Sequence, residues 1–206
     1  GSGRVARKLI NGQRQLMGID ISLPMLQYAY KNSSASTQFV AMDMTNLAFT
    51  CSFDAMIIPY NSLNLLVTKD RILSCLRGCQ KHLHHGGRFI AQIFIPSTKF
   101  LAQKKKTFQF QLFDMEPTGR LIKEILKEYQ PATETIRVEE RFRVRPGGLN
   151  AVTADYNSNY TVAAYSPDTW LTLFKQCGFI VKNAYADLEK TPPDSTDASS
   201  LILVCE

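Results

Sequence analysis

The chain has 206 residues, 45% of them hydrophobic, with a net charge of +6 at pH 7, which suits one sizeable core and excludes a disordered chain. No apolar run approaches the roughly 18 residues of a membrane-spanning helix, and the basic start at Arg4, Arg7 and Lys8 lacks the apolar stretch of a secretory signal, so a cytoplasmic protein is expected. The five cysteines are an odd number without a C-x-x-C pair; reduced thiols are expected and metal is not, since Cys75 and Cys79 lack two further ligands at compatible spacing.

"GSGRVARKLI" (1–10) continues G-x-G-x-x-A into a helix. A Gly-Ser-Gly start also matches a cloning remnant, but the continuation favours a glycine loop. Such a loop follows a buried strand, and the expectation is an apolar strand upstream of Gly1 that fills a slot between the strands ending at Asp20 and Tyr60. "RQLMGID" (14–20) predicts a strand ending in an acid, and "SLPMLQYAYK" (22–31) a helix capped by Ser22 with Pro24 in its first turn. "TQFVAMD" (37–43) and "FDAMIIPYN" (53–61) predict two further strands. "TKDRILSCLRGCQKHL" (68–83) predicts an amphipathic helix capped by Thr68, and "HHGGRFIAQIF" (84–94) a glycine turn into another strand. This alternation gives an α/β three-layer sandwich with a mostly parallel sheet.

From about 105 to 165 the pattern changes to strands: "TFQFQLFDM", "TETIRVEERFRVR" and "SNYTVAAYS". "RLIKEILKEYQ" (120–130) fits strand or helix, because Leu121, Ile122, Ile125, Leu126 and Tyr129 also recur at helical spacing. "YQPATE" and "RPGGLN" read as turns. The segment is an antiparallel sheet inserted into a single domain, residues 1–206. The frame resumes with "SPDTWLTLFKQCG" (166–178) as a helix stopped by glycine, "FIVKNAYA" as a strand, "TPPDSTDASS" as a loop and "LILVCE" as a last, antiparallel strand.

In an open parallel sheet, ligands sit at the carboxyl ends of the strands. Asp20, Asp43 and the Tyr60–Asn61–Ser62 cluster fall there in order. An acid ending the strand after a glycine loop accepts both ribose hydroxyls of a nucleoside. Asp20 stands 17 positions after Gly3, near the roughly 20 of dinucleotide sites. A single Asp at a strand end is more often a helix or turn cap; three polar positions in register with a glycine loop point to a nucleotide site. His82, His84 and His85 cluster at a helix end, where the helix dipole explains them better than a catalytic base. "QKKKTF" (103–108) is a solvated loop and "RFRVR" (141–145) a polar strand face, so nucleic acid is not the expected partner.

Together "GSGRVARKLI", "GIDISLPMLQYA", "FVAMDMTNLAF", "FDAMIIPYNSLNLL", "HLHHGGRFIAQIF" and the late "CGF" resemble the class I S-adenosylmethionine-dependent methyltransferases, in the small-molecule branch that carries an antiparallel insertion after the fifth strand. The resemblance implies S-adenosylmethionine as cofactor and a small-molecule methyl acceptor, with no metal and no membrane partner. It implies that Gly1 and Gly3 let the backbone approach the cofactor's methionine end, that Asp20 holds the ribose hydroxyls, and that Ile21 and Met25 pack near the adenine. It further implies that Asp43 accepts from the exocyclic amine, Met44 lies on the ring face, and Tyr60 and Asn61 line the methyl-transfer region. The inserted sheet would cover the cleft, with Arg141, Arg143, Tyr156, Tyr160 and Tyr165 as candidates for acceptor recognition beside the reading of an ordinary half-exposed sheet. The alternatives are a non-catalytic module of the same fold, an RNA methyltransferase and a nicotinamide-dependent oxidoreductase, whose fingerprint G-x-G-x-x-A also fits. The catalytic base, the acceptor atom and the oligomeric state stay open, a homodimer included.

Overall fold

The computed structural model describes residues 1–10, 15–34, 36–103, 105–116, 118–147, 153–193 and 199–206; the expected turn at 148–150 and loop at 194–198 lie outside them. After α1 (Arg4–Leu9), β1 (Leu16–Asp20) pairs in parallel with β2 (Thr37–Ala41) across α2 (Leu23–Lys31). A second parallel pair joins β3 (Phe53–Ile58) and β4 (Leu83–Phe94) across a 3-10 helix (Ser62–Leu66) and α3 (Lys69–His82). After α4 (Thr98–Leu101) come β5 (Thr107–Asp114), β6 (Gly119–Gln130), β7 (Thr135–Pro146) and β8 (Ala154–Ala163), an antiparallel sheet in sequence order. The frame resumes with α5 (Pro167–Gln176), β9 (Val181–Tyr185) and β10 (Ser200–Cys205), and β10 runs antiparallel to both β4 and β9.

The α/β frame differs from one continuous sheet. Its strands form two sheets, β1-β2 and β3-β4-β10-β9. Among the described residues, β1 and β3 each keep one edge without a strand partner. Their carboxyl ends are nevertheless brought together by residues 1–4: the Gly1 amine pairs with Asp20, and the Arg4 guanidinium lies 4.5 Å above the Tyr60 ring. The loop after β2 ties the two sheets from behind. Met44 and Leu47 pack on the main core, and His82 on α3 reaches the Phe49 carbonyl at 3.2 Å.

Local chemistry explains the boundaries. Thr68 caps α3 by accepting from the Arg71 N–H at 3.4 Å, and Ser166 caps α5 by accepting from Thr169 at 3.2 Å. Ser22 holds the cap position of α2 without a side-chain bond; its own N–H instead donates to Asp20. β4 starts at Leu83, not after a glycine turn, and takes up the glycines through an irregularity in its pairing with β3. The 120–130 segment is a strand. β5 and β7 hydrogen-bond both of its edges, which a helix cannot offer.

The main core lies between the four-stranded sheet and helices α3 and α5. Trp170, Phe174, Phe89, Ile72, Leu76 and Leu203 are fully buried there, with Phe89 stacked on Phe179 and Phe174 at 4.8 and 5.7 Å. Cys75, Cys79, Cys177 and Cys205 belong to this core, so packing accounts for them. A smaller core of Ile125, Ile136, Val138 and Ala164 joins the inserted sheet to Phe94 and Phe100.

Candidate active site

The carboxyl ends of β1, β2 and β3 converge under the first four residues. Gly3 makes this approach feasible. Its φ of 74° is left-handed, and a Cβ there would lie 3.1 Å from Ala29 and 3.2 Å from Phe39, so no other residue fits the turn unstrained. Gly1 and Gly3 thereby carry the chain over the end of β1, where a Cβ on Gly1 would stand 3.9 Å from the Asp20 carboxylate.

Asp20 accepts from the Gly1 amine through Oδ2 and from the Ser22 N–H at 2.8 Å through Oδ1. Burial pushes its carboxyl up, but those bonds outweigh it and hold the group below the usual carboxylate range. The chain leaving β2 lies alongside, with Met42 N–H donating to the Asp20 carbonyl at 3.1 Å. Asp43 then forms a turn: Oδ1 accepts from the Thr45 N–H at 2.8 Å and the Thr45 hydroxyl at 2.9 Å, while Oδ2 faces Arg71 at 3.6 Å. Those Thr45 bonds lower its pKa. The turn-cap role weighed from sequence is thus present on one oxygen, and the other oxygen meets no main-chain donor among the described residues.

Ile21 and Met25 are 75% and 49% exposed beside Asp20, an apolar pair that solvent does not favour. Met44 is half-buried against the main core. Tyr60 is 59% exposed, and its N–H donates to the Gln92 side chain at 3.0 Å. Tyr60 and Asn61 both have left-handed backbones, with φ of 55° and 59°, a strained pair of the kind that clusters at functional sites. The Asn61 Oδ1 is buried with no partner among the described residues. An orphaned acceptor of this kind carries a desolvation cost that a ligand donor would relieve.

The sequence reading missed Asn64. It is 1% exposed, donates to the Phe94 carbonyl at 3.0 Å and the Ala163 carbonyl at 2.8 Å, and accepts from the Phe94 N–H at 2.9 Å. It locks the turn that carries Tyr60 and Asn61 to the end of β4 and the root of the inserted sheet. Its signal was a lone amide inside the apolar run "SLNLL". Tyr165 reinforces the same joint, its hydroxyl donating to the Val67 carbonyl at 2.8 Å.

Among the acceptor candidates, the sheet separates the arginines from the tyrosines. Arg141 pairs with Asn157, whereas Tyr156 pairs with Phe142 and Tyr160 with Val138, so Arg141 and Arg143 lie on the face opposite Tyr156 and Tyr160. Arg143 is already bound to Glu124 at 3.0 Å. His82 is buried between the Gly78 and Phe49 carbonyls at 2.8 and 3.2 Å, a structural role, and His84 and His85 are exposed on β4.

The methyltransferase domain family matches residues 1–87. YqeM of Bacillus subtilis (strain 168), which carries a methyltransferase name, is 30% identical over 110 residues, 48% of this chain and 44% of YqeM; the chain thus spans less than half of that curated relative. The CcbJ methyltransferase of Streptomyces caelestis superposes with a TM-score of 0.81 at 19% identity, over 100% of this chain and 80% of CcbJ. CalS10 of Micromonospora echinaspora, an amino pentose methyltransferase solved with S-adenosylmethionine bound, superposes at 0.70 with 15% identity, over 92% of this chain and 72% of CalS10. The chain has the fold of the class I S-adenosylmethionine-dependent methyltransferases and, over residues 1–87, matches their methyltransferase domain family.

Proposed function

We propose that this protein transfers a methyl group from S-adenosylmethionine to a small-molecule acceptor. The observation that carries the reading is the convergence of Asp20, Asp43 and Tyr60–Asn61 at three strand ends beneath the Gly1–Gly3 loop. The donor set fits the cofactor. Asp20 keeps a lone pair on each oxygen for the two ribose hydroxyls, and Ile21 and Met25 supply an exposed apolar wall for adenine. Asp43 offers Oδ2, which it shares with Arg71 at 3.6 Å, to the exocyclic amine, with Met44 behind the ring. The orphaned Asn61 oxygen and the Tyr60 ring line the methyl-transfer region.

The cofactor supplies an activated methyl group on sulfur. What remains for the chain is alignment and the exclusion of water. Gly1 and Gly3 bring backbone close to the methionine end; the strained Tyr60–Asn61 pair, held by Gln92 and Asn64, fixes the wall where the acceptor approaches. The inserted sheet closes the cleft from above, and the domain is a single unit, residues 1–206. CalS10, which acts on an amino pentose, supports a small acceptor over a macromolecular one.

The test is calorimetric titration of S-adenosylmethionine into the wild type and Asp20→Ala. Two charge-assisted bonds of about 1.5–3 kcal/mol each are at stake, so the variant should bind at least roughly tenfold more weakly. Equal affinity, or no binding by the wild type, would refute the reading.

A further inference from the structure

The two faces of the inserted sheet differ in charge. One carries Arg137, Arg143 and Arg145 in ion pairs with Glu139, Glu124 and Asp155 at 3.6, 3.0 and 2.6 Å. The other packs at its root, through Ile125 and Val138, on Phe94 and Phe100 at the end of β4, so it overhangs the carboxyl side of the frame. The strand register places only three charged side chains of the described residues on that second face: Lys123, Lys127 and Glu140. Lys123 meets Glu140 at 2.8 Å, and the Tyr160 hydroxyl donates to the same carboxylate at 3.2 Å. Glu140 is therefore occupied. Lys127 has no carboxylate within ion-pair distance among the described residues, yet it is half-buried, and burial draws its ammonium below the usual lysine range. The Glu140 charge offsets that burial only in part, and a desolvated cation without a close counter-ion is a standing cost. Val138 stands directly across from Lys127 with Tyr160 next to it, while Phe142 and the exposed Tyr156 extend the same face farther along, beside Lys123.

We infer that this face binds an anionic group of the methyl acceptor, a carboxylate or a phosphate, with Lys127 as its counter-ion. The inference deepens the methyltransferase reading and rests on it for the word acceptor. Glu140 and Tyr160 shape the shelf, and Lys123 is held back by Glu140.

The test uses benzoate and phenyl phosphate as probes, with benzyl alcohol as the uncharged control, titrated at fixed ionic strength into the wild type, Lys127→Met, Glu140→Gln and Arg141→Met. At least one anion should bind the wild type saturably, and the stronger of the two distinguishes carboxylate from phosphate. Benzyl alcohol should not bind. Lys127→Met should weaken the anion at least tenfold, Glu140→Gln should tighten it severalfold by releasing Lys123, and Arg141→Met, on the other face, should change nothing. Because Glu140→Gln moves affinity the opposite way from Lys127→Met, loss of fold cannot imitate the pattern. No saturable anion binding, or equal binding in Lys127→Met and Glu140→Gln, would overturn the inference. S-adenosylmethionine titrated into the same samples separates the two readings: anion binding without cofactor binding leaves the shelf standing and removes the methyltransferase.

Discussion

Asp43 shows how one side chain serves the turn and the site through different oxygens. Oδ1 holds Thr45, and Oδ2 is the one assigned to adenine. An amide keeps a carbonyl oxygen for the turn, and Asn is a favoured residue in such turns. Asp43→Asn should therefore leave the melting temperature within a degree or two and weaken S-adenosylmethionine in calorimetry. Asp43→Ala loses the turn as well and should cost about 1 kcal/mol, a drop of a few degrees in a thermal melt. The carboxyl has a lowered folded pKa, so its contribution is fully present above the unfolded value of about 3.9 and is lost as pH falls through the folded value. The stability difference between the wild type and Asp43→Ala should accordingly persist at pH 6 and shrink on acidification below about pH 4. A difference that stays constant down to pH 2 would show that the charge on Asp43 plays no part in the turn.

Among the elements, β1 and the 3-10 helix are the most sensitive. A Cβ on Gly18 would stand 2.8 Å from the Phe39 ring of β2. Gly18→Ala should cost about 1–3 kcal/mol by overpacking, read as a lower urea midpoint; an unchanged midpoint would mean that the β1-β2 contact yields freely. Asn64→Leu would orphan three buried main-chain groups of Phe94 and Ala163, each costing about 1–3 kcal/mol, and should loosen β8, seen as faster amide exchange at its root. Most elements were legible because strand and helix periods differ. The 120–130 segment was not, since its apolar residues satisfy both periods and only its neighbours decide. The register that parts Arg141 from Tyr156 was equally hidden. Alternation assigns residues to faces within one strand, whereas pairing across three strands decides which faces coincide. The strand-end acids were readable because an acid closing an apolar run is unusual. Asn64 was not, because its partners lie 30 and 99 positions away.

For the whole molecule, the net charge of +6 invites a comparison with nucleic-acid binders, and its distribution argues against one. A phosphate backbone is gripped by a contiguous basic surface whose cations are free to replace counterions. The arginine-rich strand β7 has the sequence of such a surface, but Arg137, Arg143 and Arg145 each stand against a carboxylate on their own sheet. Lys106 sits between Glu128 and Glu139 at 3.6 and 3.8 Å, and Lys182 meets Glu206 at 3.0 Å. Exposed pairs like these add little stability, yet each would have to be broken before its cation could neutralise a phosphate. The aromatic residues most exposed on the arginine face, Phe108 and Phe110 at 59% and 57%, lie on the edge strand β5 rather than between the arginines, so they do not interleave with them as a base-stacking platform would require. Bulk transfer RNA in a gel-shift titration should therefore associate weakly, with an affinity that collapses between about 50 and 200 mM salt as purely electrostatic contacts do. Tight binding that survives physiological salt would require the β7 pairs to open on contact and would move the acceptor from a small molecule to RNA.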